Sequence, residues 1–226
     1  MNTFADRVIH YLQTLEPPTL PNLHWEVMHP HGSEPARTWS ERFYRRYYSD
    51  NHPRIAVFGI NPGRWGSGIT GIPFTDPTQL EAVLPELGRI EGRTEMSAQY
   101  IHRVIRAYGS YESFYQQIYL TSVYPFGLLY QGVNANYYDH PQVYELLESQ
   151  IRSSIDRQVS MGIRRDKAFC LGEGQNIKLL KTLNKKHGWF DRIYSLPHPR
   201  YVMQYKRKRI AEFEDLYLTT LLGDLL

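Results

Sequence analysis

Four short apolar runs limit what this chain can fold into. They are Arg54 to Ile60 (RIAVFGI), Ile118 to Val123 (IYLTSV), Lys167 to Leu171 (KAFCL) and Arg192 to Leu196 (RIYSL). Each reads as a buried strand. Between them, apolar residues at helical spacing mark Pro77 to Leu87, Ser97 to Tyr108, His140 to Val159 and Gln175 to Leu183. Apolar strands that alternate with helices build a parallel sheet covered on both faces. The expected class is therefore α/β, a three-layer α/β/α arrangement around a central four-stranded parallel sheet. Ligands of such sheets sit beyond the C-terminal ends of the strands. That rule singles out the loops after Ile60, Ser122 and Leu196.

The ends of the chain read as helices. Thr3 is placed to cap a helix whose face carries Phe4, Val8, Leu12 and Leu15, and Pro17-Pro18 stops it. Trp39 to Tyr48 reads as a second helix, and Gln204 to Leu222 as a last one with Ile210, Phe213, Tyr217 and Leu221 on one face. With 226 residues, the expectation is one domain over 1–226 with a helical N-terminal segment, 1–50. The 18 tyrosines supply core edges first and base-stacking surfaces second.

Cys170 is the one cysteine, which excludes an intrachain disulfide or a thiolate iron–sulfur cluster and fits a reducing, cytoplasmic setting. Met1 to Arg7 has no basic stretch leading into an apolar run, so no secretion signal is expected. No run approaches ~18 apolar residues, so no membrane partner is expected. The histidines lack ligand spacing, so neither a metal nor a cofactor is expected. A net charge of +3 and a pI near 8.8 permit nucleic-acid binding without requiring it. The one dense basic run is Lys206-Arg207-Lys208-Arg209.

The loop after the first strand reads GINPGRWGSGITGIPF, from Gly59 to Phe74. Its glycines allow tight turns and close approach of a ligand to the backbone. It is not a phosphate cradle: it has no Gly-Lys-Ser/Thr ending and no GxGxxG in register. Alone, Asn-Pro-Gly after a strand is an ordinary turn, and a lone Phe74 is an ordinary core residue.

The whole loop resembles the first motif of the single-strand-selective monofunctional uracil-DNA glycosylase (SMUG) family, in which GMNPG is followed by a Gly and then TGVPFG. The separation of the motif Asn from the motif Phe is the same, here Asn61 to Phe74. Within the uracil glycosylase superfamily the chain is most similar to a bacterial subgroup of the SMUG branch. The resemblance implies that Asn61 orients a water beneath the sugar and Phe74 stacks on a flipped base. It also implies that Ile60, Gly63 and Ser67 border the base, with Gly63 and Ser67 near the C5 edge of uracil.

Ser195-Leu196-Pro197-His198-Pro199-Arg200 is similar to the second motif of that family, HPSPR. The resemblance makes His198 the donor to the base O2, where negative charge gathers as the bond breaks. Two residues are missing before the Arg, so the loop that wedges into DNA is shortened or rearranged. Tyr201 and Met203, with Tyr205, are candidates for the wedge. Arg200, Lys206 and Arg207 are candidates for phosphate contacts, although a solvated helix face explains the basic run equally well.

Where the family reads the base edge with an Asn, this chain has Ser122. A hydroxyl cannot make the paired contact of an amide. Asn134 or Asn136 is expected to supply the missing amide, and the smaller Ser122 is expected to widen base choice toward xanthine and hypoxanthine. No lysine of the matched motifs is placed to form a Schiff base, so the resemblance implies hydrolysis without strand cleavage. The expected partner is DNA, single-stranded or duplex with a flipped damaged base, bound by a monomer. Three alternatives stay open: a mismatch- or xanthine-directed glycosylase, a catalytically silent DNA-binding module on the same fold, and an unrelated nucleotide-binding α/β protein.

Overall fold

A computed structural model describes residues 2–20, 22 and 24–222. Met1 and the last four residues, the two ends of the single-domain expectation, lie outside the described residues. The chain opens with α1 (Phe4–Gln13). Its N-terminus is closed by a capping box, in which Thr3 Oγ1 accepts from the Asp6 amide and Asp6 accepts from the Thr3 amide. Strand β1 (Trp25–Met28) and helix α2 (Ala36–Tyr47) follow. The first apolar run is β2 (Ile55–Gly59), buried at every position.

After β2 come two single-turn helices, α3 (Ser67–Thr70) and α4 (Leu80–Val83), the second flanked by 3-10 turns. The continuous helix expected over Pro77 to Leu87 is thus broken, because Pro85 restricts the backbone before it and Leu84 leaves the helical region. Helices α5 (Met96–Tyr108) and α6 (Tyr111–Gln117) lead into β3 (Ile118–Ser122). An antiparallel hairpin, β4 (Gly127–Tyr130) and β5 (Val133–Ala135), pairs with β1 to form a second, three-stranded sheet. The remaining elements are α7 (Pro141–Ser160), β6 (Lys167–Leu171), α8 (Gln175–His187), β7 (Arg192–Leu196), α9 (Pro199–Tyr205) and α10 (Ile210–Leu222).

The central sheet is parallel throughout, in the order β3-β2-β6-β7, and helices flank it. β2 and β6 show no polar face because both of their sides are covered. Burying a residue such as Phe58 or Leu120 contributes roughly 2–3 kcal/mol each relative to leaving it in water. The N-terminal segment is built into this core: Phe4 and Val8 are fully buried, and α1 packs on α2 and α7. At the start of β2, the buried guanidinium of Arg54 donates to the carbonyls of Tyr115 (2.7 Å) and His52 (3.0 Å) and to Asp50 (2.9 Å). It also lies over the Tyr48 and Phe4 rings. Among the described residues, no helix is long and apolar enough to cross a membrane.

Two histidines are enclosed. His31 pairs with Ser40 (3.3 Å), and His102 pairs with Thr75 (3.2 Å) and the Tyr111 hydroxyl (2.9 Å). Burial pushes both imidazoles down to about 3 from the ordinary 6.5. The folded protein therefore keeps them neutral while the unfolded chain takes up protons below pH 6.5. Their contribution to stability is complete above pH 6.5 and is lost as pH falls toward 3. The expected Tm is flat above pH 7 and declines between pH 6.5 and 5, above the carboxylate range. In His102→Gln the slope of unfolding free energy against pH should be shallower by about 0.7 kcal/mol per pH unit at the top of that window, rising to about 1.4 at its foot. Denaturant titrations across the window check this, and an unchanged slope refutes it.

Candidate active site

Strand register sets the site. Gly59 at the end of β2 lies opposite Ser122 at the end of β3, and Leu171 of β6 lies opposite Leu196 of β7. The ladder runs one step further on both sides: the Val123 amide donates to Gly59 (3.0 Å), the Tyr124 amide to Ile60 (3.1 Å), and the Gly172 amide to Leu196 (2.7 Å). Asn61 and His198 each follow two residues after their strand ends. β2 and β7 are separated by β6, so the two side chains rise from strands about 10 Å apart, two interstrand spacings. A cavity of about 540 Å³ opens between them, and both side chains line it. That volume suits a small planar ligand.

The Asn61 amide is held on both sides. Its Nδ2 donates to the Ala135 carbonyl (3.2 Å), and its Oδ1 accepts from the Tyr137 amide (3.2 Å). The backbone partners fix which end is oxygen, and that oxygen retains a second lone pair. Opposite, His198 caps α9: its Nδ1 accepts from the Arg200 amide (3.2 Å). The proton of the neutral ring therefore sits on Nε2. Burial, aided by the nearby Arg200 cation, pushes its pKa down to about 4. The ring is a neutral donor at physiological pH.

Phe74 lines the cavity in a left-handed backbone conformation, φ 54°. A residue with a Cβ is strained there and needs support. Support comes from Thr70, whose hydroxyl donates to the Thr75 carbonyl (2.6 Å), and from His102 on the Thr75 hydroxyl. The Phe74 ring lies against the Gly59 backbone, where an added Cβ would come 2.7 Å from Phe74 Cζ. Ile60, Gly63 and Ser67 line the same cavity.

Ser122 also faces the cavity, and its hydroxyl donates to the Tyr124 carbonyl (2.9 Å). Its proton is spent on its own turn, which leaves lone pairs as what it offers a ligand. Of the two expected compensating amides, Asn134 is exposed at the mouth and its oxygen accepts from the Arg64 amide (3.1 Å). Asn136 is tied to Asp139 through its side-chain NH2 (3.1 Å).

Residues after His198 form a helix rather than the shortened loop. Arg200 lines the cavity; Tyr201, Met203, Lys206 and Arg207 do not. Tyr201 and Tyr205 are exposed with their rings 5.6 Å apart, and Lys206 lies over Tyr201. Met203 packs on the core. Lys206 ends α9, and Arg207 to Arg209 form a 3-10 turn, so the basic run separates two helices instead of opening one.

Two features escaped sequence reasoning. Trp65, on the cavity wall, carries the guanidinium of Arg64 at 4.6 Å from its ring and that of Arg93 at 4.4 Å. Glu95, also on the wall, lays its carboxyl on Gly63 and Gly66, where a Cβ at either glycine would overlap a carboxyl oxygen. Its backbone is fixed by the Asp76 carboxylate, which accepts from the Glu95 amide (2.7 Å). Burial pushes the Glu95 pKa up, the Asp76 charge adds to this, and Arg200 opposes it. Arg93 and Glu95 come from 88–95, a mostly polar segment without periodicity; only the glycines at 63 and 66 hint that something lies on them.

A family model for the uracil DNA glycosylase superfamily matches residues 46–222. Among solved structures, the chain is similar to the wild-type SMUG2 of Pedobacter heparinus. The two are 38% identical, the match covers 99% of this chain and 98% of that chain, and the TM-score is 0.91. No curated protein matches. The family match, the parallel four-stranded core and the cavity at its C-terminal edge agree, and the chain belongs to the uracil DNA glycosylase superfamily.

Proposed function

We propose that the protein is a monofunctional uracil-DNA glycosylase, acting as a single-domain monomer and leaving an abasic site. One observation carries this reading: Asn61 and His198, from loops distant in sequence, line one cavity with room for a single flipped base. In this mechanism the damaged nucleotide leaves the stack and its base stacks on Phe74. The held oxygen of Asn61 accepts from a water and aims it at C1′. As the N-glycosidic bond lengthens, negative charge gathers on the base, and His198 Nε2–H donates to O2. A neutral donor suffices, because the low-dielectric cavity strengthens the bond. Water adds to the sugar, and no enzyme amine takes part, so the strand stays intact.

A second reading concerns base choice. With its proton committed to Tyr124, the Ser122 hydroxyl presents only acceptors to the base edge. It favours any base with an N–H there: uracil, and also xanthine and hypoxanthine. Cytosine, whose N3 is itself an acceptor, is disfavoured. Arg200, on the cavity wall, and Arg64 and Arg93, over the Trp65 ring of that wall, are the groups assigned in this reading to the flanking phosphates.

The decisive measurement is release of free base from a single-stranded oligonucleotide with one uracil, compared with the matching duplex. The parent should release uracil, and Asn61→Ala and His198→Ala should each fall by about tenfold or more, the first through lost positioning of the water and the second through a lost transition-state donor, whose removal typically costs ~10²–10³. No release by the parent, or variants as fast as the parent, refutes the assignment. Gly59→Ala should push the Phe74 ring aside and lower kcat/KM on the order of 10²-fold, as misplacement of a bound reactant does; a ring that stays put by NMR together with full activity would count against the stacking role. For phosphate contacts, Arg93→Ala should reduce the slope of log affinity against log salt by about 0.7 on single strands. An unchanged slope removes Arg93 from the interface.

A further inference from the structure

The Glu95 carboxyl has no part in the release of uracil just described, yet it lines the same cavity. No hydrogen bond among the described residues ends on its oxygens; only burial and the charges of Asp76 and Arg200 act on it. The carboxyl is half-buried, and with no protein partner its oxygens are left to a ligand or to water. Its place is specific. It covers Gly63 and Gly66, the stretch of loop that borders the C5 edge of a bound pyrimidine on the reading above. A pyrimidine presents a carbon-bound hydrogen at that edge. A purine joined to the same sugar position presents N7, a basic nitrogen.

We propose that Glu95 is the general acid for a second class of base, the deaminated purines xanthine and hypoxanthine, donating its proton to N7 as the glycosidic bond breaks. This rests on the second reading of base choice, that the pocket admits such purines. In the step, the bonding pair of C1′–N9 goes to the base while the carboxyl proton moves to N7. The purine departs neutral, as its N7–H tautomer. A water adds to C1′ through oxygen and gives one proton to solvent, from which the Glu95 carboxylate is reprotonated. The sum is nucleotide plus water going to abasic sugar plus free base. His198 steadies charge on a pyrimidine O2; for a purine, protonation at N7 removes the charge instead.

The groups facing Glu95 support a proton at this position. Asp76, ahead of α4, carries a buried negative charge that raises the Glu95 pKa along with burial. Arg200, on α9, is the opposing cation. His198 and His31 on the cavity wall are held neutral by burial, and burial likewise keeps the hydroxyls of Tyr11, Tyr44 and Tyr119 on that wall protonated. When a DNA phosphate pairs with Arg200, the opposing influence weakens and the carboxyl holds its proton more firmly. Substrate binding thereby prepares the acid.

The test uses the full-length protein, its Glu95→Gln variant, and single-stranded oligonucleotides carrying uracil, xanthine, hypoxanthine or 7-deazahypoxanthine. Single-turnover release is followed from pH 5 to 9. The expected result has three parts. The ratio of purine to uracil release falls about tenfold or more in Glu95→Gln, in line with loss of a general acid. In the parent, purine release falls with rising pH along a one-proton limb that uracil release lacks. Replacement of N7 by carbon abolishes release by the parent, whatever the stability of any variant. A parent that releases uracil but neither purine overturns the proposal through the reading beneath it. Purine release with an unchanged ratio, or with full activity on the 7-deaza base, overturns the role of Glu95 while leaving that reading intact.

Discussion

Because β2 is hydrogen-bonded to β3 on one side and to β6 on the other, with β7 next to β6, the C-terminal ends of all four strands are held at one level. A slip of one residue in this register would turn each side chain to the opposite face and bring apolar surface to water. The same register that satisfies the core thus brings Gly59, Ser122 and Leu196 to one edge. The distance between Asn61 and His198 is a consequence of strand spacing and needs no flexible loop to set it. What the loops add is orientation. Asn61 is clamped by the backbone at the end of β5 and just after it, and His198 is locked by the first turn of α9.

Arg54 explains why the N-terminal segment belongs to this design. A charge at 0% exposure is tolerable only when it is fully paired. Its guanidinium gathers carbonyls from α2, from the turn before β2 and from α6, with Asp50 as counter-charge. The aromatic rings of Phe4, Tyr48 and Tyr115 close around that end of the sheet. Residues of the same segment also reach the site: Tyr11, Leu12 and Tyr44 line the cavity. Much of the tyrosine content is accounted for here, in a core that needs hydroxyl donors at its polar seams, such as Tyr48 on the Ile118 carbonyl and Tyr47 on that of Val83.

The four central strands were legible because strands covered on both faces are written as unbroken apolar runs. The capped helix α1 was legible through Thr3 and Asp6, a local chemical pattern. The hairpin β4–β5 was not: strands of four and three residues, the first without an exposed position, are too short to show a period. That loss mattered at the site, since the hairpin supplies the carbonyl of Ala135 that fixes Asn61, and a backbone contact leaves no mark on residue type. Helix α9 was also missed. His198 is a weak cap by residue type, and only its place above Pro199 and Arg200 makes it one. The carboxyl of Glu95 and the stacked Arg93 lie in a stretch whose order comes from distant partners, Asp76 and Trp65.

The site combines neutral and charged groups. Inside the cavity, Asn61, Ser122 and His198 are neutral hydrogen-bonding groups, and His198 is kept so by burial. Arg200 lies on its wall, and the guanidinium groups of Arg64 and Arg93 lie over the indole of Trp65 on that wall. On the proposed chemistry this combination has a reason. A cationic imidazole would bind any anion in the empty pocket and would have to shed that anion before a neutral base could enter. A neutral donor gains strength only as charge develops on the base, so its stabilisation is concentrated in the transition state. The arginine cations meet phosphates, whose charge does not change during the reaction, and so contribute to binding without favouring one base over another. On that chemistry, discrimination among bases is left to the uncharged hydroxyl of Ser122 and to the Glu95 carboxyl on the cavity wall.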